Sequence, residues 1–169
     1  MKYELADKRF LVAGNSRSGK DTFAEFMCAH AGGFLRAKSS SMMALEIFLY
    51  DRLVGHYGLE YNSIDEAFDD RFNHREIWWN EITAYNESDR TRLAMDIFAE
   101  NNIYVGMRNR EEFQICRPLV NLAIWVDSDR GFCHDGDQVT RDDCDIVIPN
   151  FEDLVELDYR AWRLIQIIS

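Results

Sequence analysis

Gly14-Asn15-Ser16-Arg17-Ser18-Gly19-Lys20-Asp21-Thr22 is the stretch that decides the fold. Arg9-Phe10-Leu11-Val12-Ala13 precedes it, a short apolar run that reads as a buried first strand. Behind it, Phe23, Phe26, Met27 and His30 fall at helical spacing, so a helix is expected from about Gly19 to Ala31, ended by Gly32-Gly33. Strand, glycine loop and helix in that order build an anion cradle. Glycines let the backbone wrap closely, successive N–H groups point inward, and the helix N-terminus adds partial positive charge. Gly14, Gly19 and Lys20 keep the G-x-x-x-x-G-K-[ST] spacing, which predicts a phosphate-binding loop, a P-loop, with Gly14 through Thr22 holding a nucleoside triphosphate. The bland alternative is a strand–turn–helix whose glycines serve only the turn. One position departs from the template: Asp21 stands where a Ser or Thr hydroxyl would meet Mg²⁺, and Thr22 follows. A carboxylate is also a hard oxygen ligand, so Asp21 and Thr22 are the candidate Mg²⁺ residues.

Outward from the loop, short apolar runs alternate with helical patterns. Phe34–Lys38, Ile103–Val105, Asn121–Val126 and Asp145–Ile148 read as further strands. Helices are expected over Met42–His56, the polar stretch Asn62–Asn86, Ser88–Glu100, Asn109–Cys116 and from near Phe151 onward. The alternation predicts an α/β fold of the P-loop NTPase type, a parallel sheet of about five strands with helices on both faces. All 169 residues are read as a single domain, with a helical substrate-binding region inserted at about 40–100.

A hydrophobic fraction of 47% with four Trp, seven Tyr and eleven Phe is a globular composition. No charged-then-apolar leader opens Met1–Asp7, and no run reaches the roughly 18 to 20 apolar residues of a membrane helix. A cytoplasmic protein without membrane contact is expected. Four scattered cysteines without a CxxC pair fit reduced thiols. A net charge of −11 argues against a nucleic-acid polymer as partner but not against a small nucleotide.

No N-K-x-D segment of the GTPase kind is present, and small size with scattered arginines points to a nucleotide or small-molecule kinase. Arg17 lies in the loop itself, and Arg108 stands just past the C-terminal end of a strand, where ligands of open α/β sheets collect. With Lys20 and Arg141 they form the candidate catalytic set. Arg71, Arg75 and Arg108 are candidates for gripping the acceptor. The segment Asp127–Asp145 carries seven Asp and reads as a solvated loop or a lid bearing Arg130 and Arg141. Its Asp127-Ser128-Asp129 start lacks the Gly and Glu positions of a calcium loop, and Cys133-His134 with Cys144 lacks the paired spacing of a zinc site.

Gly14–Thr22, with its Gly-Lys-Asp-Thr ending, resembles the P-loop of phage-type deoxynucleoside monophosphate kinases. Ile103-Tyr104-Val105-Gly106-Met107-Arg108-Asn109-Arg110-Glu111 resembles their strand ending in a D-V-R-F-x-N-E-like segment, and Asp145–Asn150 resembles their last strand. The similarity extends to dephospho-coenzyme A kinases. It implies ATP and Mg²⁺ as cofactors, a (deoxy)nucleoside monophosphate as acceptor, and a host cytoplasm if the source is viral. It also makes Asp21 a usual family residue, and it adds Glu111, matched to the motif's Glu, to Ser39, Arg71, Arg75 and Arg108 on the substrate side. Two departures stand out: Gly106 replaces the family's Asp, and the chain is short for these kinases. A nucleotide-binding regulator with little turnover, or a small-molecule kinase of the dephospho-coenzyme A type, are the alternatives. Trp78-Trp79 and the apolar last helix leave a homodimer open.

Overall fold

The computed structural model describes residues 5–169, so Met1–Glu4 of the stretch read for a leader lie outside the described residues. Five parallel strands form one sheet in the order β2-β3-β1-β4-β5: β1 Phe10–Ala13, β2 Ala37–Ser39, β3 Ile103–Val105, β4 Leu122–Asp127 and β5 Ile146–Pro149. The pleat explains why β1 is apolar at every position. Phe10 and Val12 point to one face, Leu11 and Ala13 to the other, and both faces are covered.

On the first face lie helix α1, Lys20–His30, and the last helix, α8, Leu154–Ile168. Phe23, Met27, Leu157, Ala161 and Ile165 close over Phe10, Val12, Ile124 and Val126. On the second face lie α6, Arg92–Glu100, and α7, Arg110–Cys116, with Leu93, Ile97 and Phe113 over Leu11, Tyr104 and Trp125. The chain expected as one helix over Met42–His56 begins earlier, at Ser40. It runs as α2, Ser40–Ala44, a π turn Leu45–Leu49, and α3, Tyr50–Gly55. Ser39 starts it by capping: its hydroxyl accepts the Met42 N–H at 3.1 Å.

The polar stretch Asn62–Asn86 breaks into α4, Ile64–Asp69, and α5, Arg75–Tyr85, joined by one 3-10 turn. With α2 and α3 it forms a satellite core of Leu45, Leu49, Leu53, Ala67 and Trp78 beside the sheet. The last helix starts at Leu154 rather than near Phe151, because Asp153 supplies the cap to Glu156 N–H at 3.0 Å. Among the described residues, no helix is long and apolar enough to cross a membrane.

Strands β3 and β1 are neighbours, yet the helices that follow them, α7 and α1, lie on opposite faces of the sheet. Such a reversal opens a crevice beyond the C-terminal strand ends. The two loops that meet there are Gly14–Gly19 after β1 and Gly106–Asn109 after β3.

Candidate functional site

The glycine loop is held from three sides. Gly14 has φ 157°, and a Cβ there would sit 2.5 Å from Ser18 Oγ and 2.7 Å from the Val126 carbonyl oxygen, so only glycine fits. Arg17 takes the left-handed conformation at φ 62°, and Gly19 does so at 89°. Asn150, at the end of β5, donates its side-chain amide to the Ser18 carbonyl at 2.8 Å and leaves no room for a side chain on Gly19. From the acidic segment, Phe132 exchanges backbone hydrogen bonds with Ser16, both 3.1 Å, and the Arg17 guanidinium lies 5.7 Å from the Phe132 ring centre.

Lys20 follows at the first turn of α1 and is only 8% exposed. Its ammonium lies 3.5 Å from the Asn15 carbonyl and 3.6 Å from the Asp21 carboxylate, both at the long end of useful contact. Burial pulls its pKa below the ordinary 10.5, with the Arg108 charge acting in the same direction and Asp21 opposing. A buried cation so loosely partnered favours an incoming anion. Ser18 Oγ, in the same loop, has no hydrogen-bond partner. Asp21 itself is exposed and Thr22 half-buried; among the described residues no cluster of three His, Cys, Asp or Glu forms a metal site, so these two could hold Mg²⁺ only with phosphate oxygens or water completing its shell.

Next to Lys20 opens a cavity of about 420 Å³. Gly106 stands at the junction: a Cβ there would lie 3.6 Å from Lys20 Cε and 3.7 Å from Ser40 Oγ. Arg71, Arg75 and Arg108 line its polar part, and Tyr104, Met107, Ile82 and the tryptophans Trp78 and Trp79 line the rest. The three arginines come from the 3-10 turn, from the start of α5 and from the loop after β3. Burial lowers the pKa of Arg71 and of Arg75, and the Arg108 charge lowers both further. They remain cations at neutral pH, and the lowering reports burial first and neighbouring like charge after it.

Carboxylates of the chain answer that like charge: Asp21 and Asp69 act on Arg71, and Asp137 acts on Arg75. Asp137, in the acidic segment, lies 3.7 Å from Arg108 Nη1 and 3.9 Å from Arg75 Nη2. Backbone bonds from Gln138 N–H and Val139 N–H to the Arg108 carbonyl, at 3.0 and 3.1 Å, fasten the segment to the strand end. The seven-aspartate stretch therefore touches both halves of the crevice, through Phe132 at the glycine loop and through Asp137 at the arginines.

The expected site residues divide accordingly. Arg71, Arg75 and Arg108 converge on one cavity beside Lys20. Ser39 caps α2 and lies outside the cavity, which its neighbours Ser40 and Ser41 line instead. Glu111 points to solvent and pairs with Arg90 at 3.6 Å. Its neighbour Glu112 lines the cavity and is 4% exposed. The cause is the α7 cap: Asn109 Oδ1 accepts the Glu112 N–H at 3.1 Å, which fixes the rotation of the helix. The signal was present in the sequence, since Glu112 shares the apolar stripe of Cys116 four residues on. Arg141 also stays away from the cavity, paired with Asp127 at 3.4 Å and 61% exposed. Arg130 bonds the Asn150 and Glu152 carbonyls, a contact that ties the acidic segment to the start of α8.

Burial pushes the Glu112 carboxyl up from its ordinary range, while the Asn86 side chain and the Arg90 charge draw it back. His134, on the opposite lip, is shifted down by burial and by Arg75. No protein-family model matches the chain, and no curated protein is detectably similar to it in sequence.

Proposed function

We propose that Gly14–Thr22 is a P-loop that binds Mg·ATP and that the adjacent arginine-lined cavity takes a (deoxy)nucleoside monophosphate, the chain transferring the γ-phosphoryl group between them. The observation that carries this reading is the juncture at Gly106, which lines the arginine cavity and whose Cβ, were there one, would lie 3.6 Å from Lys20 Cε, so that the Lys20 ammonium and the Arg108 charge feel one another there. Phosphoryl transfer needs two anions brought together and their charge neutralised, and little else from the protein.

In this reading the loop N–H groups and Lys20 hold the β and γ phosphates; Asp21 and Thr22 would hold the Mg²⁺, which would supply charge neutralisation to those phosphates. Arg71 and Arg75 orient the acceptor phosphate. One of its oxygens attacks the γ-phosphorus in line, the bond to the β–γ bridging oxygen breaks, and ADP leaves with that electron pair. Arg108, whose charge acts on Lys20 as well as on Arg71 and Arg75, stabilises the group in transit. Gly106, where the resemblance expects Asp, leaves Asp21 as the carboxylate beside Lys20, and it keeps the passage between donor and acceptor open.

The second reading is a nucleotide-binding regulator with little turnover, which Asp137 favours because it already occupies the arginines. A coupled ADP-release assay with Mg·ATP across dNMPs, NMPs and dephospho-coenzyme A separates the two. Turnover on a dNMP that disappears in Lys20→Ala supports the kinase. Tight ATP binding without turnover on the whole panel overturns it in favour of the regulator.

A further inference from the structure

The last helix is apolar on two sides, and the core accounts for only one of them. Leu157, Ala161, Leu164 and Ile165 are buried against the sheet. Val155, Tyr159 and Trp162 follow one another at spacings of four and three, so they form a second stripe along α8, nearly opposite the buried one. Leu154 borders that stripe, and Phe151 extends it just ahead of the helix. These five side chains are each left 40% to 75% exposed. Tyr159 and Trp162 are already stacked, ring centres 5.5 Å apart and planes 29° off parallel, so covering them costs little side-chain freedom. Large apolar residues exposed to this degree each leave on the order of 100 Å² in water, so the five offer on the order of 500 Å² per copy. Two such faces together reach the roughly 1,000 Å² that a specific interface needs, before any flanking polar residue is counted.

The charges beside the stripe say what covers it. Glu156 and Arg163 stand seven residues, two turns, apart and therefore on the same edge of the stripe. Glu156 and Glu152 share a single cation, Arg160, at 3.0 and 3.5 Å, while Arg163 is exposed and has no ion pair among the described residues. That edge thus runs from surplus acid at the start of α8 to an unpaired cation near its end. A two-fold axis that sets two copies of the helix antiparallel brings this edge against itself, Glu156 facing Arg163 of the second copy and the reverse. The same register sets Val155 against Trp162 of the second copy, and both pairings are centred within a residue of Tyr159. A parallel pairing would instead turn Arg163 toward the opposite edge, whose carboxylate, Asp158, is already bonded to His30 at 2.8 Å. We propose that the chain forms a two-fold dimer through the outer face of α8, with the helices antiparallel, stripe on stripe, and the Glu156–Arg163 pair made twice.

The test is sedimentation velocity of the full chain over roughly 1 to 100 μM. Wild type is expected to sediment as a dimer within that range, and Val155→Glu, which sets a charge in the middle of the apolar contact, as a monomer throughout. Arg163→Glu and Glu156→Arg each place like charges opposite one another twice, and each is expected to weaken the dimer by about tenfold or more. An equal mixture of those two variants restores both pairs in the heterodimer, and it is expected to associate within about threefold of wild type. All three positions lie on the water side of α8, and melting curves report that the variants are folded. Wild type that stays monomeric to the top of the range overturns the proposal. So does a dimer that Val155→Glu leaves intact, or a mixture of the charge variants that associates no better than either alone.

Discussion

Asp137 pairs with two of the three arginines proposed to hold the acceptor phosphate, and replacing it by Asn should free them. The carboxylate lies 3.7 Å from Arg108 and 3.9 Å from Arg75. At about 4 Å a pair of unit charges attracts by about 1 kcal/mol in water and about 4 kcal/mol in a partly shielded setting. The arginine side chains keep 35% and 26% of their surface in water, which places each attraction near the lower figure. An arriving phosphate must displace two such contacts, so the internal carboxylate should weaken its binding by about 1 to 2 kcal/mol, or roughly tenfold. Asn keeps the shape of Asp and still accepts the His134 N–H that the Asp137 carboxylate accepts at 3.0 Å. Titration of Asp137→Asn with ribose 5-phosphate should therefore show about tenfold tighter binding than wild type. In turnover the KM for the acceptor should fall and that for ATP should stay. Equal or weaker binding of ribose 5-phosphate by Asp137→Asn, with its melting curve intact, would refute the view that Asp137 competes for the arginines.

Arg108→Ala should lower kcat by about a hundredfold or more with the fold intact, whereas Arg141→Ala, which loses only an exposed pair with Asp127, should stay within about threefold of wild type in the same assay. Gly14→Ala should cost about 2 to 4 kcal/mol in urea unfolding, because the new methyl meets Ser18 Oγ and the Val126 carbonyl at a backbone angle that suits glycine; a loss below about 0.5 kcal/mol would show that the loop can relax. Lys20 has a folded pKa below 10.5 because burial disfavours its charge. A bound triphosphate restores partners to the ammonium and raises that pKa. Between the lowered pKa and 10.5, ATP binding should therefore take up a proton. Calorimetry at alkaline pH in two buffers of different ionisation heat reads this directly, and heats independent of buffer would sink it.

The strand, glycine loop and helix stand where the sequence places them because their information is local. Gly14, Arg17 and Gly19 adopt positive φ within a few residues of one another, and Lys20 opens the helix behind them. A strand buried on both faces announces itself as an unbroken apolar run, so β1, β3 and β4 match their expected positions to within a residue. Elements in the region of residues 40–100 were less legible. At the break between α4 and α5, the Arg71 guanidinium donates to the Phe68 carbonyl at 2.6 Å and lies over the rings of Phe68 and Phe72. No helical period encodes that turn.

The choice between Glu111 and Glu112 shows the limit most plainly. Successive helix positions differ by about 100°, so a shift of one residue in the start of α7 would exchange the buried carboxylate for the exposed one. Asn109 as cap sets that start, and the sheet sets which side of α7 is inward.

By itself, the sequence determined the strand–glycine loop–helix unit and the alternation of strands and helices, because both rest on backbone conformations and burial patterns that span a few neighbouring residues. Only the tertiary structure decided that Arg71, Arg75 and Arg108 share one cavity, that Asp137 faces them, and that Arg141 does not. The pair Arg71 and Arg75, Arg108, and Asp137 come from three separate parts of the chain, and their meeting depends on the order of the strands and on how the helices seat against them, which no local pattern records.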